Sequence, residues 1–527
     1  MAGILSILAG AIGATPPPAF GAGGGSALYA WGMNNRGQLG LGNTTYSFSS
    51  PQQNGVLTDW LSIACAQYST IAIKTNGTLW AWGQNGNGQL GLGNITAYSS
   101  PKQIGALTNW KSISSAGYSV LAIKTDGTLW AWGDNSQGVL GLSNMTSYSS
   151  PKQVGALTNW SSISTNASVS AFGIKTDGTL WAWGNNQFGQ LGLGNTTGYS
   201  SPKQVGALTT WSDAVASSQH LLAKKTDGTI WTCGRNHIGQ LGLGNITAYS
   251  SPKQVGSLTT WSKIFTGTSD SYAIKTDGTL WSWGSNGNGQ LGQGNTTNLS
   301  SPKQVGALTN WLNVAAAAYH TQAIKTDGTL WAWGWNNQGQ LGLGNTTNYS
   351  SPKQVGSVTN WSSISAGYFH TIALTAPTKT VPDKPTNVAA TAGDSSATVT
   401  FTAPSNGGSA ITGYTVKAYT GGVYTGISQS GVSASITVTG LTNGTAYTFT
   451  VAATNAIGTG LPSDTSAAVT YYGISAFGTN SYGQLGLGDT TTRTTPTALN
   501  GSASWKSVTT TGYVTLGIRQ DGTLWAW

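Results

Sequence analysis

At 527 residues, with 75 Gly, 23 Trp and only 7% charged residues, the chain exceeds what one core usually supports, so two or more domains are expected. All 14 acidic residues are Asp; the Glu that normally fills exposed helix faces is missing, which argues against long helices and for an all-β chain. The two cysteines, Cys65 and Cys233, are too few for a disulfide framework, and the net charge of +9 leaves an anionic partner open.

In chain order, residues 1–26 come first. Residues 2 to 14 form a short apolar run followed by Pro16-Pro17-Pro18 and a Gly-rich stretch. A basic segment before the run is lacking and the run is too short to span a bilayer, so a signal peptide and a docking or anchoring tail both stay open and no membrane span is expected.

From Ala27 onward, near-copies of Thr329-Leu330-Trp331-Ala332-Trp333-Gly334-Trp335-Asn336 recur. The Gly closing each copy falls at Gly32, Gly83, Gly133, Gly184, Gly234, Gly284 and Gly334, a step of 50 or 51 residues. In each unit Thr-Leu-Trp-Ala-Trp and Leu-Ala-Ile-Lys read as short strands. The Asp-Gly between them, as in Lys124 to Thr128, predicts a tight type I′ hairpin. Ser201 to Gly206 and Trp160 to Ser164 exemplify two further strands, and four strands in 50 residues are the content of a β-propeller blade.

Gly-Gln-Leu-Gly-Leu-Gly after a Trp-Gly, followed by Ala366 to Leu374, resembles the repeats of the regulator of chromosome condensation family, over about two-thirds of the chain. The resemblance implies a seven-bladed ring. Counting strands leads to the same number. Between Ala27 and Leu374 there are seven Trp-Gly strands and seven Ala-Ile-Lys strands, the first unit lacking a partner before Ala27 and the last lacking one after Leu374. The N-terminal strand is therefore expected to complete the last blade of a 27–376 propeller, leaving no open edge.

Residues 377–385 read as a Pro-rich linker. Residues 386–472 contain no Trp and alternate as strands, and Gly440 to Tyr447, with Gly413-Tyr414 before it, is similar to a fibronectin type III domain; Tyr447 would be its tyrosine corner and Phe401 replaces the usual core Trp. Residues 473–527 restart the repeat and are read as the start of a second propeller. An eight-bladed ring with the sandwich inserted is the alternative.

Catalysis has little to stand on: there are no paired carboxylates and no hydrolase motif, so a non-enzymatic chain without cofactor or metal is expected. His220, His320 and His370 each lie nine residues after a repeat Trp. Three such His could hold a metal; they are read instead as hydrogen-bonding the blade backbone, as the family resemblance implies. Asn-x-Thr triplets such as Asn43-Thr44-Thr45 match glycosylation acceptors only if the chain is secreted by a eukaryote.

Two sets of residues are candidates for binding. Residues 27–376 hold 17 Lys and Arg against 9 Asp, and Lys102, Lys152, Lys203, Lys253, Lys303 and Lys353, one per Pro-Lys-Gln, have no acidic neighbour to offset them. Such a ring of charge would favour an anionic partner, although nucleic acid lacks the Arg cluster or recognition helix it usually needs. The loop after each Trp-Gly varies where the rest of the repeat does not, and places Met33, Arg36, Phe188, Arg235, His237 and Trp335 on a rigid frame. A second variable place surrounds Gln67-Tyr68, Asn166-Ala167, Gln219-His220 and Tyr319-His320.

These features favour a surface-displayed binding or structural protein, a bacteriophage virion or tail component or a bacterial adhesin, that recognises a host glycan or protein or neighbouring virion proteins. Its location would be the virion or the cell surface. The alternative is a protein–protein regulator, a guanine nucleotide exchange factor-like propeller or a secreted enzyme inhibitor.

Overall fold

In a computed structural model, which describes residues 26–56, 59–166, 169–377, 379–499, 505–519 and 521–527, every assigned element is a strand. The expected tail thus lies outside the described residues except for Ser26, as does Ala167.

The hairpin at Lys124 to Thr128 shows how each repeat is locked. Gly127 donates to the Lys124 carbonyl at 3.0 Å, and Lys124 donates to the Thr128 carbonyl at 3.1 Å. Gly127 has φ +77°, whereas Asp126 is not among the residues of positive φ. The turn is therefore type I with a glycine bulge, not the type I′ turn expected, which would need positive φ at both residues. Asp126 Oδ1 accepts from the Thr128 amide at 2.9 Å and hydroxyl at 2.7 Å, and the Thr128 hydroxyl accepts from Trp130 Nε1 at 2.9 Å. Turn, hydroxyl and indole fix one another, which is why Asp-Gly-Thr-x-Trp travels as a unit.

Lys124 lies between Trp110 and Trp130, its ammonium 4.9 Å and 3.6 Å from their ring centres. Burial lowers its pKa, and Asp126 opposes that only in part. The ammonium thus lies against two indoles, while the Asp126 carboxylate favours its charged form. Equivalent clamps hold Lys175, Lys225, Lys275 and Lys325.

Six units each make a four-stranded antiparallel sheet in sequence order, from Trp60–Cys65, Ser69–Lys74, Leu79–Gly83 and Tyr98–Gln103 to Trp311–Ala316, His320–Lys325, Leu330–Gly334 and Tyr349–Gln354. The seventh joins Trp361–Ala366 and His370–Thr375 to the N-terminal Leu28–Met33 and Ser47–Gln53, with Leu28 opposite Leu374 and Gly32 opposite His370. First strands of successive blades adjoin, including the seventh against the first, so the ring closes at seven and the eight-bladed alternative fails.

Each blade is stapled to the one before. Trp82 Nε1 donates to the Gln38 carbonyl at 3.0 Å, and Trp31 Nε1 closes the circle on the Gln340 carbonyl at 2.9 Å. Trp132, Trp183, Trp283 and Trp333 repeat the bond. Cys233 occupies this position in one blade, its thiol 3.6 Å from the Gln190 carbonyl, which accounts for a buried, unpaired cysteine.

The second unit of the chain holds the sandwich and the further repeat. Thr386–Gly393, Ser396–Thr402 and Ser435–Thr439 form one sheet; Val423–Gly431, Ile411–Thr420, Thr448–Asn455 and Gly458–Thr459 form the other. Thr442 donates its amide to the Tyr447 hydroxyl at 3.2 Å, the tyrosine corner, and Phe401 packs edge-on against Tyr414. Part of the predicted linker is laid on this sandwich: Thr380 donates to the Gly407 carbonyl at 2.8 Å and Asp383 to that of Ser405 at 3.1 Å. Beyond it, Ser475–Gly478 pairs with Arg493–Ala498, and Trp505–Thr510, Thr515–Arg519 and Leu524–Ala526 form a separate sheet with the ring's motifs.

Candidate interaction face

The variable loops rest on a constant skeleton. The Asn after each Trp-Gly-x is buried; Asn336 Oδ1 accepts from the Leu341 amide at 2.9 Å, and its Nδ2 donates to the Asn345 carbonyl at 2.9 Å. Gln340 Oε1 accepts from the Gln338 amide at 2.9 Å. Asn345 in turn accepts from the Thr347 amide at 2.9 Å, so the Asn-x-Thr triplets have a structural reason, an Asx turn that ends each loop. With these bonds made by Asn and Gln, the side chains between them are free to differ from blade to blade.

The glycine before each loop brings the two variable places together. Gly334 has φ +101°, and a Cβ there would lie 2.6 Å from the Tyr319 carbonyl oxygen. That close approach lets Trp335 donate its amide to Tyr319 at 2.9 Å. Met33 pairs in the same way with Phe369, Gln84 with Tyr68, Asp134 with Tyr118 and Arg235 with Gln219, at 2.8 to 2.9 Å. What reads in the sequence as two separate variable stretches is one pair per blade, on one face of the ring.

The structure sorts the candidate residues on this face. Trp335 stands edge-on to Tyr319 at 5.7 Å and to Phe369 at 5.6 Å; Phe369 also stacks on Tyr319 at 6.1 Å and approaches Tyr68 at 6.0 Å. Tyr319 is 40% exposed. This aromatic patch draws on three adjacent blades, and Met33 joins it by donating its amide to the Phe369 carbonyl. Phe369 was missed in the sequence, although it sits in the same place before His370 as Tyr319 does before His320. Phe188 and Arg235 meet elsewhere on the face: the guanidinium lies 4.8 Å from the Phe188 ring centre and donates to Gln219 Oε1 at 2.7 Å. His237 is exposed, its pKa lowered by partial burial and by Arg235. Arg36 is exposed on the loop that follows Met33.

Lys102, Lys152, Lys203, Lys253, Lys303 and Lys353 are all exposed and lie on the outermost strands, one to a blade, apart from the variable loops. Five of them stand 5.5 Å from the ring centre of a tyrosine on their own strand, as Lys102 does over Tyr98. Lys303 has Leu299 in that place, and the seventh blade carries Gln52 instead of lysine.

The three histidines are fully buried, and their partner is a side chain of the next blade, not the blade backbone as expected. Nε2 of His220 is 2.8 Å from the Ser271 hydroxyl, that of His320 is 3.2 Å from Thr371, and that of His370 is 3.4 Å from Thr70. Each of these hydroxyls donates to a glutamine carbonyl, so it has only lone pairs left and Nε2 must carry the proton. Among the described residues no three His, Cys, Asp or Glu side chains cluster as metal ligands. Burial pushes the pKa of each of these histidines down to about 3. Asp270 holds the same place in another blade, pushed up to about 7 by burial, with Tyr272 donating to its carboxylate at 2.6 Å.

These groups act on stability with opposite signs. A buried neutral histidine binds its proton less readily than the unfolded chain, so ring stability falls as pH drops through 6.5 towards 3. Asp270 binds its proton more readily when folded, so its contribution is full below 3.8 and is lost as pH rises through 7. His320→Ser, which copies the residue of Ser69 and Ser119, is expected to flatten the acid limb, and Asp270→Asn the limb between about pH 4 and 7. Urea midpoints across pH test both; unchanged slopes would show that burial does not control these groups.

Comparison with known proteins fixes the family. The family model of the RCC1-like domain matches residues 24–317, more than half of the chain. The chain belongs to the RCC1-like family. Models of the RCC1 repeat match this RCC1-like chain again at 327–374 and 476–518, and the fibronectin type III model matches 383–469. Over 70 residues it is 40% identical to Protein RCC2 of Homo sapiens, 13% of either chain; over 68 residues it is 34% identical to the probable E3 ubiquitin-protein ligase HERC6 of Homo sapiens, 12% of this chain and 7% of that one. The RCC1-like chain thus spans only a small part of these relatives. Over 68% of this chain and 93% of the other its fold is similar to that of Prp20p from Saccharomyces cerevisiae, with a TM-score of 0.61 and 19% identity. Human WBSCR16 is similar at TM-score 0.59 and 18% identity, over 66% of this chain and 100% of that one.

Proposed function

We propose that this chain is a non-enzymatic protein-binding propeller that regulates or assembles a partner docked on its loop face. The observation that carries the reading is the aromatic patch of Trp335, Tyr319, Phe369 and Tyr68, whose rings meet across three blades while a backbone hydrogen bond within each blade fixes Tyr319, Phe369 and Tyr68. Aromatic anchors on a rigid frame are what dominate protein interfaces. The relatives agree in kind: the Prp20p structure was reported with binding to Gsp1p and histones, and yeast RCC1 was solved bound to Kap60. Display on a virion or cell surface remains the finer reading of the context, motivated by near-identical repeats joined to a fibronectin module. The rim lysines support a glycan ligand in that setting.

Two photo-crosslinking variants of the full chain test the proposal, one with the reactive residue at position 335 and one at 102. A partner captured at 335 and not at 102, and displaced at least about thirtyfold less well by competitor carrying Trp335→Ala and Tyr319→Ala, is expected. Equal capture at 102, or binding to envelope polysaccharide that fades with salt and with the six lysines changed to Gln, would move recognition to the rim.

A further inference from the structure

The repeat that follows the sandwich contains one joint between blades, built as the joints of the ring are. Thr515 donates its hydroxyl to the Gln484 carbonyl at 2.9 Å, as Thr70 does to that of Gln38 at 2.9 Å. Trp505 stands edge-on to Trp527 at 5.3 Å, as Trp60 does to Trp82 at 5.8 Å. Arg519 lies over Trp505 and Trp525 as Lys74 lies over Trp60 and Trp80. Ser475–Gly478 and Arg493–Ala498 are thus the outer half of one blade, and Trp505–Thr510, Thr515–Arg519 and Leu524–Ala526 are the first three strands of the next.

What neighbouring blades cover in the ring is bare on both outer sides of this joint. In the ring, Ile324 and Leu330 pair across two strands, are fully buried, and share a cluster with Trp31 of the next blade. Ile518 and Leu524 pair in the same way but are 39% and 68% exposed. Leu516, two residues before Ile518, lies on the same face and is also exposed. At the other side of the joint Phe477 is 64% exposed. It is the counterpart of Trp31, since each precedes a glycine of positive φ, Gly478 at +113° and Gly32 at +92°.

The ring itself shows what covers such surfaces. One blade's isoleucine and leucine meet the next blade's aromatic ring at Ile73, Leu79 and Trp132, and again at Ile274, Leu280 and Trp333. The repeat after the sandwich therefore carries both halves of a contact that the ring makes many times over, but carries them on opposite sides of its joint. They can meet only between two copies of the chain. Phe477 has no counterpart to the Nε1 that Trp31 gives to the Gln340 carbonyl, so the contact between copies is weaker than the one inside the ring.

We propose that residues 473–527 are a self-association site, at which Phe477 of one copy packs on Leu516, Ile518 and Leu524 of a second as successive blades pack in the ring. Two different surfaces meet, so the contact is heterologous. Each added copy leaves one surface of either kind free, and growth does not stop at two.

The test follows the full chain by sedimentation velocity from about 1 to 100 µM, the range in which contacts of micromolar Kd appear. Species larger than a dimer are expected at the upper end. Hydrogen exchange there should slow at both Ser475–Gly478 and Leu524–Ala526 and stay unchanged at Val423–Gly431 of the sandwich. Phe477→Lys and Leu524→Lys, both at exposed positions, should each weaken association at least about thirtyfold and leave a monomer. Mixed in equal amounts, the two variants should form one-to-one dimers and nothing larger, because one keeps the leucine side and the other keeps the phenylalanine side. A wild-type chain that stays monomeric with unchanged exchange would overturn the proposal and leave these surfaces to a repeat of a different chain. Protection at one of the two strands alone, association that survives either substitution, or a mixture that does not pair would overturn it too.

Discussion

Gly334→Ala is expected to lower the stability of the ring by about 3 kcal/mol or more and to disorder the Trp335 loop with it. Two costs add. At φ +101° a side chain is strained in any surroundings, and the new Cβ would press within 2.6 Å of the Tyr319 carbonyl and 2.8 Å of the His320 Cα, backbone atoms that cannot swing aside. Relief requires the Trp-Gly strand to pull away from its neighbour, which breaks the hydrogen bond from the Trp335 amide to the Tyr319 carbonyl and separates the aromatic patch. Gly356→Ala is the control: its φ is +57°, but nothing lies within 4 Å of the added carbon, so only the conformational cost of about 1 kcal/mol applies. Urea unfolding followed by tryptophan fluorescence reads mainly the ring, since 20 of the 23 Trp lie in it, three follow the sandwich and residues 386–472 contain none. Equal losses at the two glycines would mean that φ alone matters and that the close approach does not organise the face.

The repeat made most of the fold legible in the sequence, because a period of 50 residues with complementary strands missing at its two ends leaves one way to close. The face was less legible, and one turn explains why. A type I′ hairpin at Asp126-Gly127 would pair Thr125 with Thr128 and carry that register along the strands, whereas the bulged turn pairs Ile123 with Leu129, a slip of one residue. Only the second register sets Gly334 opposite His320 and so lets Trp335 reach Tyr319. Phe369 was hidden for the same reason. The clamped lysines are hidden for another reason: an Asp two residues on is visible in a sequence, but the pair of indoles around Lys124 comes from two different strands. His220 and His320 likewise find their hydroxyls 51 residues away and His370 finds its own 300 residues away, each in the next blade, and no local spacing announces that.

Trp31→Ala is expected to cost about 3–5 kcal/mol, as removal of a fully buried tryptophan does, and to open the ring at one place. Trp31 is completely buried, lies edge-on to Trp361 at 6.1 Å, and donates to the carbonyl of Gln340, 309 residues away. Its strand is the one that enters a blade from the other end of the domain, so no hairpin holds it to His370–Thr375; only side-chain packing and the strand ladder do. Trp132→Ala empties an equally buried site and breaks the matching bond to Gln89, but in a blade whose strands are all joined in sequence. The two variants should therefore lose similar stability and differ in how they lose it. In Trp31→Ala, hydrogen exchange and proteolysis should reach Leu28–Met33 and Ser47–Gln53 well below the global unfolding transition, whereas in Trp132→Ala exchange should rise with global unfolding alone. Trp525→Ala, at a position 46% exposed outside the ring, should change little, within about 0.5 kcal/mol. If Trp132→Ala opened its blade as readily as Trp31→Ala opens the closing one, then chain connectivity would contribute nothing to holding a blade together, and the staple between each indole and the preceding loop would be the ring's only lock.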